Sequence, residues 1–172
     1  MVATAVHTRD RRPRRLWPIG LALVVLLVLA RIFVAEPFRI SGTSMAPTLR
    51  DGDRVLVDKR AYRDGLPRRG DLVVFHAPTS GDVTLKRVVG VPGDSVAIED
   101  GVLVVNGARP VEPYTTPGAI DTVYFGPRRV RAASVFVLGD NRGDSVDSRE
   151  YGLVAQRDLI GRVGARLWPP SR

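Results

Sequence analysis

The stretch Ser41-Gly42-Thr43-Ser44-Met45-Ala46-Pro47-Thr48 crowds hydroxyl side chains around a Gly and a Pro. Gly admits backbone angles other residues resist, and Pro fixes its own. Together they can hold a serine hydroxyl at a sharp bend, outside any ladder. Such a hydroxyl is a poor nucleophile at neutral pH until a base takes its proton. The chain has no Cys, which excludes a thiolate nucleophile, thiolate metal ligation and disulfides. His7 and His76 are the only two histidines, too few and too far apart to suggest a metal site. His76 ends an apolar run with no orienting carboxylate motif nearby.

Lysine is the other candidate base. Of 26 basic residues only two are Lys, Lys59 and Lys86; the rest are Arg. Arg stays protonated at any accessible pH, whereas a buried Lys can lose its proton. Lys86 sits in Val83-Thr84-Leu85-Lys86-Arg87-Val88-Val89, a run of β-branched and apolar neighbours. On a strand it shares a face with Thr84 and Val88, and Arg87 points the other way. Burial there would disfavour the charged form and lower the amine's pKa. Lys59 follows Asp58 and precedes Arg60 beside a polar turn, and reads as surface.

A third stretch, Gly139-Asp140-Asn141-Arg142-Gly143-Asp144-Ser145-Val146-Asp147-Ser148-Arg149, is dense in acids, Arg, Ser and Asn. Its oxygens lack the glycine and terminal Glu of a calcium loop. A loop so rich in donors and acceptors can pin its own geometry. Asp147 can pair with Arg149, and Ser145 can orient an amine.

These groups need a scaffold. The chain has 172 residues, 44% of them apolar, enough for an anchor and one domain with a modest core. Leu16 to Ala35 is 20 residues with one charge, Arg31, near its far end. At about 1.5 Å per residue this spans roughly 30 Å, the thickness of a bilayer's hydrocarbon core. Trp17 marks one boundary, and Arg31 can snorkel to the other. The Arg cluster before Leu16 places the N-terminus in the cytoplasm. The exit Arg31-Ile32-Phe33-Val34-Ala35-Glu36-Pro37 has no clean small-x-small step, so the segment reads as an uncleaved anchor and not a removed signal peptide.

The net charge is +8, of which +5 falls in residues 1–35. The remainder is nearly balanced and has no groove of interleaved basic and aromatic residues, which argues against nucleic-acid binding. After residue 35 the pattern is short strands and turns, with no long helical periodicity. Strands are expected at Arg54–Asp58, Asp71–Phe75, Val83–Val89, Ser95–Ile98, Val102–Val105, Ser134–Leu138 and Leu159–Trp168. Glu99-Asp100-Gly101 forms a hairpin turn. Residues 106–133, rich in Pro, Gly and Arg, read as an irregular excursion.

Four stretches in order resemble bacterial type I signal peptidase, the membrane-bound Ser/Lys endopeptidase of protein export. They are Ser41–Thr48, Asp51–Lys59, Lys86–Asp94 and Gly139–Arg149, and the resemblance runs from about residue 16 to 168. It implies that Ser44 is the nucleophile and Lys86 the general base. It implies that Ser145 hydrogen-bonds the lysine amine. Asp147 and Arg149 brace the site, with Asp140 and Asn141 in the same motif. Phe38, Ile40, Met45, Leu49 and Leu85 fall where the family lines pockets for the substrate's small −1 and −3 residues. Gly42 stands where Gram-negative members often carry an oxyanion-hole serine; Gram-positive members often have Gly there too. The oxyanion hole is then left to backbone donors at Gly42 and Ser44.

The expected architecture is mainly β: a basic tail (1–15), a single transmembrane helix (16–35) and an extracytoplasmic catalytic domain (36–172) with an insertion at about 95–133. No cofactor is expected. The expected partners are signal peptides of exported preproteins, membrane lipid, to which Trp168 is a candidate contact, and the export machinery. Two rival readings are a self-cleaving Ser/Lys protease and a catalytically silent membrane-anchored binding module.

Overall fold

The apolar run forms helix α1, Trp17–Phe33, in a computed structural model that describes residues 17–63, 65–116 and 124–168. The expected basic tail and Leu16 lie outside the described residues. The helix is shorter than the 20-residue span expected, at 17 residues. Among the described residues no helix is long and apolar enough to cross a membrane. At the span's exit the helix stops at Phe33 and Ala35 is taken by a sheet. Ala35–Arg39 forms β1, paired antiparallel with β2, Arg54–Asp58. The Lys59 N–H donates to Val34 O at 3.0 Å, closing the corner. Pro37, which has no N–H to give a ladder, is accommodated because β1 is an edge strand.

The next strands are β3 (Leu72–His76), β4 (Val83–Gly90), β5 (Ser95–Glu99) and β6 (Val102–Val105). Then come β7 (Tyr124–Arg129), β8 (Ser134–Leu138), the one-turn helix α2 (Ser148–Tyr151), β9 (Val154–Ala155) and β10 (Leu159–Trp168). The main sheet runs β1-β2-β10-β3-β4-β8-β9, and a second sheet runs β6-β5-β7. Every pairing is antiparallel. The chain's last strand, β10, lies between β2 and β3, so the large sheet is complete only when both ends of the domain meet.

β7 falls within the stretch expected to be irregular. Its sequence, Tyr-Phe-Gly-Pro-Arg-Arg, hides the strand because Gly and Pro sit at a register shift between Val96 and Ile98 of its partner. α2 has a local signal. Asp147 and Glu150 form a capping box, the acid-x-x-Glu spacing that opens helices.

Among the described residues three apolar clusters hold the domain. Ile40, Met45, Leu49, Val55, Val57, Val74 and Leu85 form the first, beneath the serine loop. Val89, Val96, Leu103, Val105, Val130, Phe136 and Leu138 join the two sheets. Val73, Phe75, Val88, Val135, Val137 and Val154 form the third. All three draw on β4 or its flanks, so β4 is covered on both faces and residues 85–90 are all buried. That double cover puts Lys86 and Arg87 together in the interior.

Candidate active site

Ser44 sits in a turn held from below and from both ends. Met45, only 1% exposed, and Leu49 plug into the first cluster and act as anchors for the loop. The Ala46 N–H donates to Thr43 O, and the Leu49 N–H to Met45 O, both at 2.9 Å. Entry and exit are tied together by Ile40 N–H to Asp53 O at 2.8 Å and Gly52 N–H to Ile40 O at 3.0 Å. Asp53 is itself locked by Arg166 at 2.6 Å and by the Arg50 N–H at 2.8 Å.

Lys86 reaches this turn from the middle of β4. Its Nζ donates to Ser44 Oγ at 2.7 Å, and the residue is 4% exposed. Burial holds the amine's pKa below the ordinary lysine value of 10.5. The Asp147, Glu150 and Asp144 carboxylates pull it partly back up, while Arg149 pushes it further down. Lys59, in contrast, pairs with Glu36 at 3.2 Å at the partly exposed rim.

The Gly139–Arg149 stretch packs directly on the serine turn. The Asn141 N–H donates to Ser44 O at 3.0 Å, and its side-chain amide to Thr43 O at 3.3 Å. Thr43 Oγ1 donates to the Asp144 carboxylate. A Cβ on Gly139 would stand 2.2 Å from Ser145 Oγ and 2.6 Å from Ser44 O, so only Gly permits this approach. Asp147 is fully buried and takes Arg149 in a two-point pair, Nε to Oδ1 at 2.8 Å and Nη2 to Oδ2 at 2.9 Å. The same carboxylate accepts the Gly139 N–H at 3.0 Å. Arg149 Nη2 also donates to Ser145 O at 3.0 Å. Asp140, fully buried, takes Nε and Nη2 of Arg87, both at 2.7 Å, while Nη1 donates to Gly70 O at 3.0 Å.

Three placements differ from the sequence reading. The Ser145 hydroxyl, expected on the lysine amine, is buried and has no hydrogen-bond partner among the described residues. The amine is directed to Ser44 instead, and Arg149 holds the Ser145 backbone. The Gly42 N–H, expected in an oxyanion hole, is taken by Asp51 Oδ1 at 2.9 Å, which fixes Gly42 at a φ of 88°. Among the described residues the Ser44 N–H donates to no acceptor. Leu49, expected in a substrate pocket, belongs wholly to the core. The cavity beside Ser44 is lined by Phe38, Ile40, Ser41, Met45, Val83, Thr84 and Leu85 and has a volume of about 60 Å³. The Trp168 side chain lies outside the described residues.

The sequence reading also missed residues. Arg87 had a signal: a second cation in an apolar strand must be buried, and a buried charge needs a partner. Arg142, Glu112 and Tyr114 carry no comparable signal, because their contacts join segments remote in the chain.

A mainly β domain with a signal-peptidase-like fold is the class defined by comparison with solved structures. A signal peptidase I from Enterococcus faecalis V583 matches with a TM-score of 0.52 at 31% identity, covering 58% of this chain and 98% of that one. The family described as signal peptidase, peptidase S26, matches residues 14–168. Signal peptidase I of Leptolyngbya laminosa is 41% identical over 162 residues, 90% of this chain and 78% of that protein. Signal peptidase I of Bacillus caldolyticus is 39% identical over 173 residues, 94% of this chain and 93% of that protein. The chain belongs to the signal peptidase family, peptidase S26, and is thus a hydrolase of the serine protease kind.

Proposed function

We propose that the protein is a membrane-bound endopeptidase that removes N-terminal signal peptides from exported preproteins through a Ser44/Lys86 dyad. The observation that carries this reading is the 2.7 Å approach of Lys86 Nζ to Ser44 Oγ, made by an amine that is almost wholly buried. In the reactive state Lys86 is neutral. Its Nζ accepts the Ser44 proton as Oγ bonds to the scissile carbonyl carbon. The Ser44 N–H is the backbone donor free to meet the resulting oxyanion, and one such donor is typically worth ~10²–10³ in rate. The carbon–nitrogen bond then breaks, and the Lys86 ammonium gives its proton to the leaving amine. Neutral Lys86 next deprotonates a water that attacks the acyl ester and frees Ser44.

The cavity beside Ser44 supports the expected specificity. A space of about 60 Å³ beside Phe38, Ile40, Met45 and Leu85 is matched to a small side chain. This suits small residues at −1 and −3. We assign bracing of the dyad to Asp140, Asn141, Asp147 and Arg149, and shaping of the niche around the amine to Ser145. The apolar face of α1, exposed along Trp17–Leu29, supports a membrane tether. The Arg cluster ahead of it supports a cytoplasmic N-terminus with residues 36–172 outside. Tethering there raises the effective concentration of a translocated substrate. The wider export machinery is a further partner of this reading.

The test is incubation of the detergent-solubilised protein with a preprotein bearing an Ala-x-Ala site. Wild type should release the mature chain, while Ser44→Ala and Lys86→Arg should not. Cleavage by Lys86→Arg at the wild-type rate would remove Lys86 as base. No cleavage by wild type would favour a silent binding module.

A further inference from the structure

The irregular excursion after β6 carries two side chains that reach the arginines beside the dyad. Glu112 makes a two-point pair with Arg142, Oε1 to Nη2 at 2.5 Å and Oε2 to Nη1 at 3.1 Å. Both side chains are nearly buried. Arg142 in turn donates through Nε to Gly139 O at 3.0 Å. Gly139 is the residue where a Cβ would collide with both Ser44 O and Ser145. Two residues on, the Tyr114 ring lies 3.9 Å beneath the Arg87 guanidinium, which holds Asp140. The Tyr114 hydroxyl donates to Glu112 Oε1 at 2.9 Å, linking the two contacts. Thr115 secures the turn, its N–H and hydroxyl both directed to Glu112 O at 3.2 and 2.9 Å.

Resting on the dyad reading above, we propose that Glu112 and Tyr114 are positioning residues for catalysis. They fix Arg142 and Arg87, and through them the Gly139–Ser145 loop that sets Ser44 against Lys86. The physical case is that Arg142 needs Glu112 to satisfy its fork, and that Tyr114 covers one face of Arg87. Arg142 spans from a backbone carbonyl to Glu112, and without the carboxylate its buried fork is only partly satisfied. Arg87 has Asp140 and Gly70 O in its plane, and the Tyr114 face closes a side perpendicular to that plane. Neither Glu112 nor Tyr114 lines the cavity beside Ser44. Loss of either should disturb reaction geometry and leave substrate binding intact.

The test uses the full-length protein in detergent, with preprotein cleavage followed for wild type, Glu112→Gln, Tyr114→Leu and Tyr114→Phe. Glu112→Gln and Tyr114→Leu should lower kcat by ~10–10² with KM within about twofold, the scale expected for a misplacement of about 1 Å. Tyr114→Phe keeps the ring over Arg87 and should recover most of the activity that Tyr114→Leu loses. Thermal unfolding of each variant, read by circular dichroism, separates positioning from unfolding. The inference is overturned if an active wild type is matched by Glu112→Gln and Tyr114→Leu in kcat. It is equally overturned if their losses follow the unfolded fraction at the assay temperature. An inactive wild type sinks the peptidase reading itself, and the inference with it.

Discussion

The Asn141 backbone N–H donates to the Ser44 carbonyl oxygen at 3.0 Å, joining the acidic loop to the residue that bears the candidate nucleophile. Ser44 is thereby held on both sides: its carbonyl by Asn141, its hydroxyl by Lys86 at 2.7 Å. Its N–H remains the group pointing to no protein acceptor among the described residues. A serine fixed in this way has little rotational freedom left to lose on reaching the transition state.

The loop's closeness predicts a sharp response at Gly139. Gly139→Ala would place a methyl 2.6 Å from Ser44 O and 2.2 Å from Ser145 Oγ. Overpacking of this kind costs ~1–3 kcal/mol, and the displaced turn should lose most cleavage activity. Gly143→Ala is the control, since its Cβ would meet nothing within 4 Å. Urea unfolding and preprotein cleavage of the two variants check this.

Lys86 should trade stability for chemistry. Its folded-state pKa is lowered, first by burial, while in the unfolded chain it returns to ~10.4. The unfolded state therefore binds more protons between those two values, so stability rises with pH across that window. The contribution is complete above ~10.4 and lost as pH falls through the folded value. Lys86→Met should flatten this slope and gain on the order of 1 kcal/mol at neutral pH, with activity abolished. Denaturant titrations at several pH values measure both effects.

The same titration should appear in the rate. Cleavage by wild type should rise with pH to a plateau, with its midpoint below 10.5, as Lys86 loses its proton. Lys86→Arg, protonated throughout, should show no such limb and a loss of ~10²–10⁴, the range for a missing general base. A kcat/KM profile of wild type and variant decides it.

Phe38, with Val83, lines two neighbouring cavities. It lines the 60 Å³ space beside Ser44 and a larger one of about 240 Å³ with Glu36, Val57, Val74, Val83 and Ile160. Phe38→Ala should merge them and admit substrates with Leu in place of a small residue at −3 or −1. Competition between Ala- and Leu-bearing preproteins reads the change.

Asp94 closes the turn after β4 and offers a test away from the site. Burial works against its charge, but Arg69, the Val91 N–H and the Asn106 amide outweigh it and lower its pKa to about 2. Its stabilising contribution is complete above ~3.9 and is lost as pH falls through about 2. Asp94→Ala should cost ~2 kcal/mol at neutral pH and leave the acid branch of the stability curve less steep. Acid and urea unfolding test both parts.

Most strands were legible because β-branched runs between Gly, Pro and Asp turns encode them locally. Arg54–Asp58, Val102–Val105 and Ser134–Leu138 lie where their composition puts them. β7 was not legible, because its Gly126-Pro127 step belongs to a bulge that makes sense only beside β5. β1 was not legible either, since it follows directly on the apolar run and Ala35–Arg39 becomes a strand only through pairing with β2.

The sequence alone determined which groups were available: hydroxyls in a Gly/Pro-bounded turn, one lysine in an apolar strand, one loop of acids and arginines. Residue type and short-range pattern suffice for that, because propensity and periodicity act over a few positions. Only the tertiary structure decided which groups meet. It brings Lys86 to Ser44, leaves the Ser145 hydroxyl unpartnered, commits the Gly42 amide to Asp51, and recruits Glu112 and Tyr114 from a stretch with no local signature. Those outcomes depend on which buried donors and acceptors satisfy one another once β10 has closed the sheet between β2 and β3.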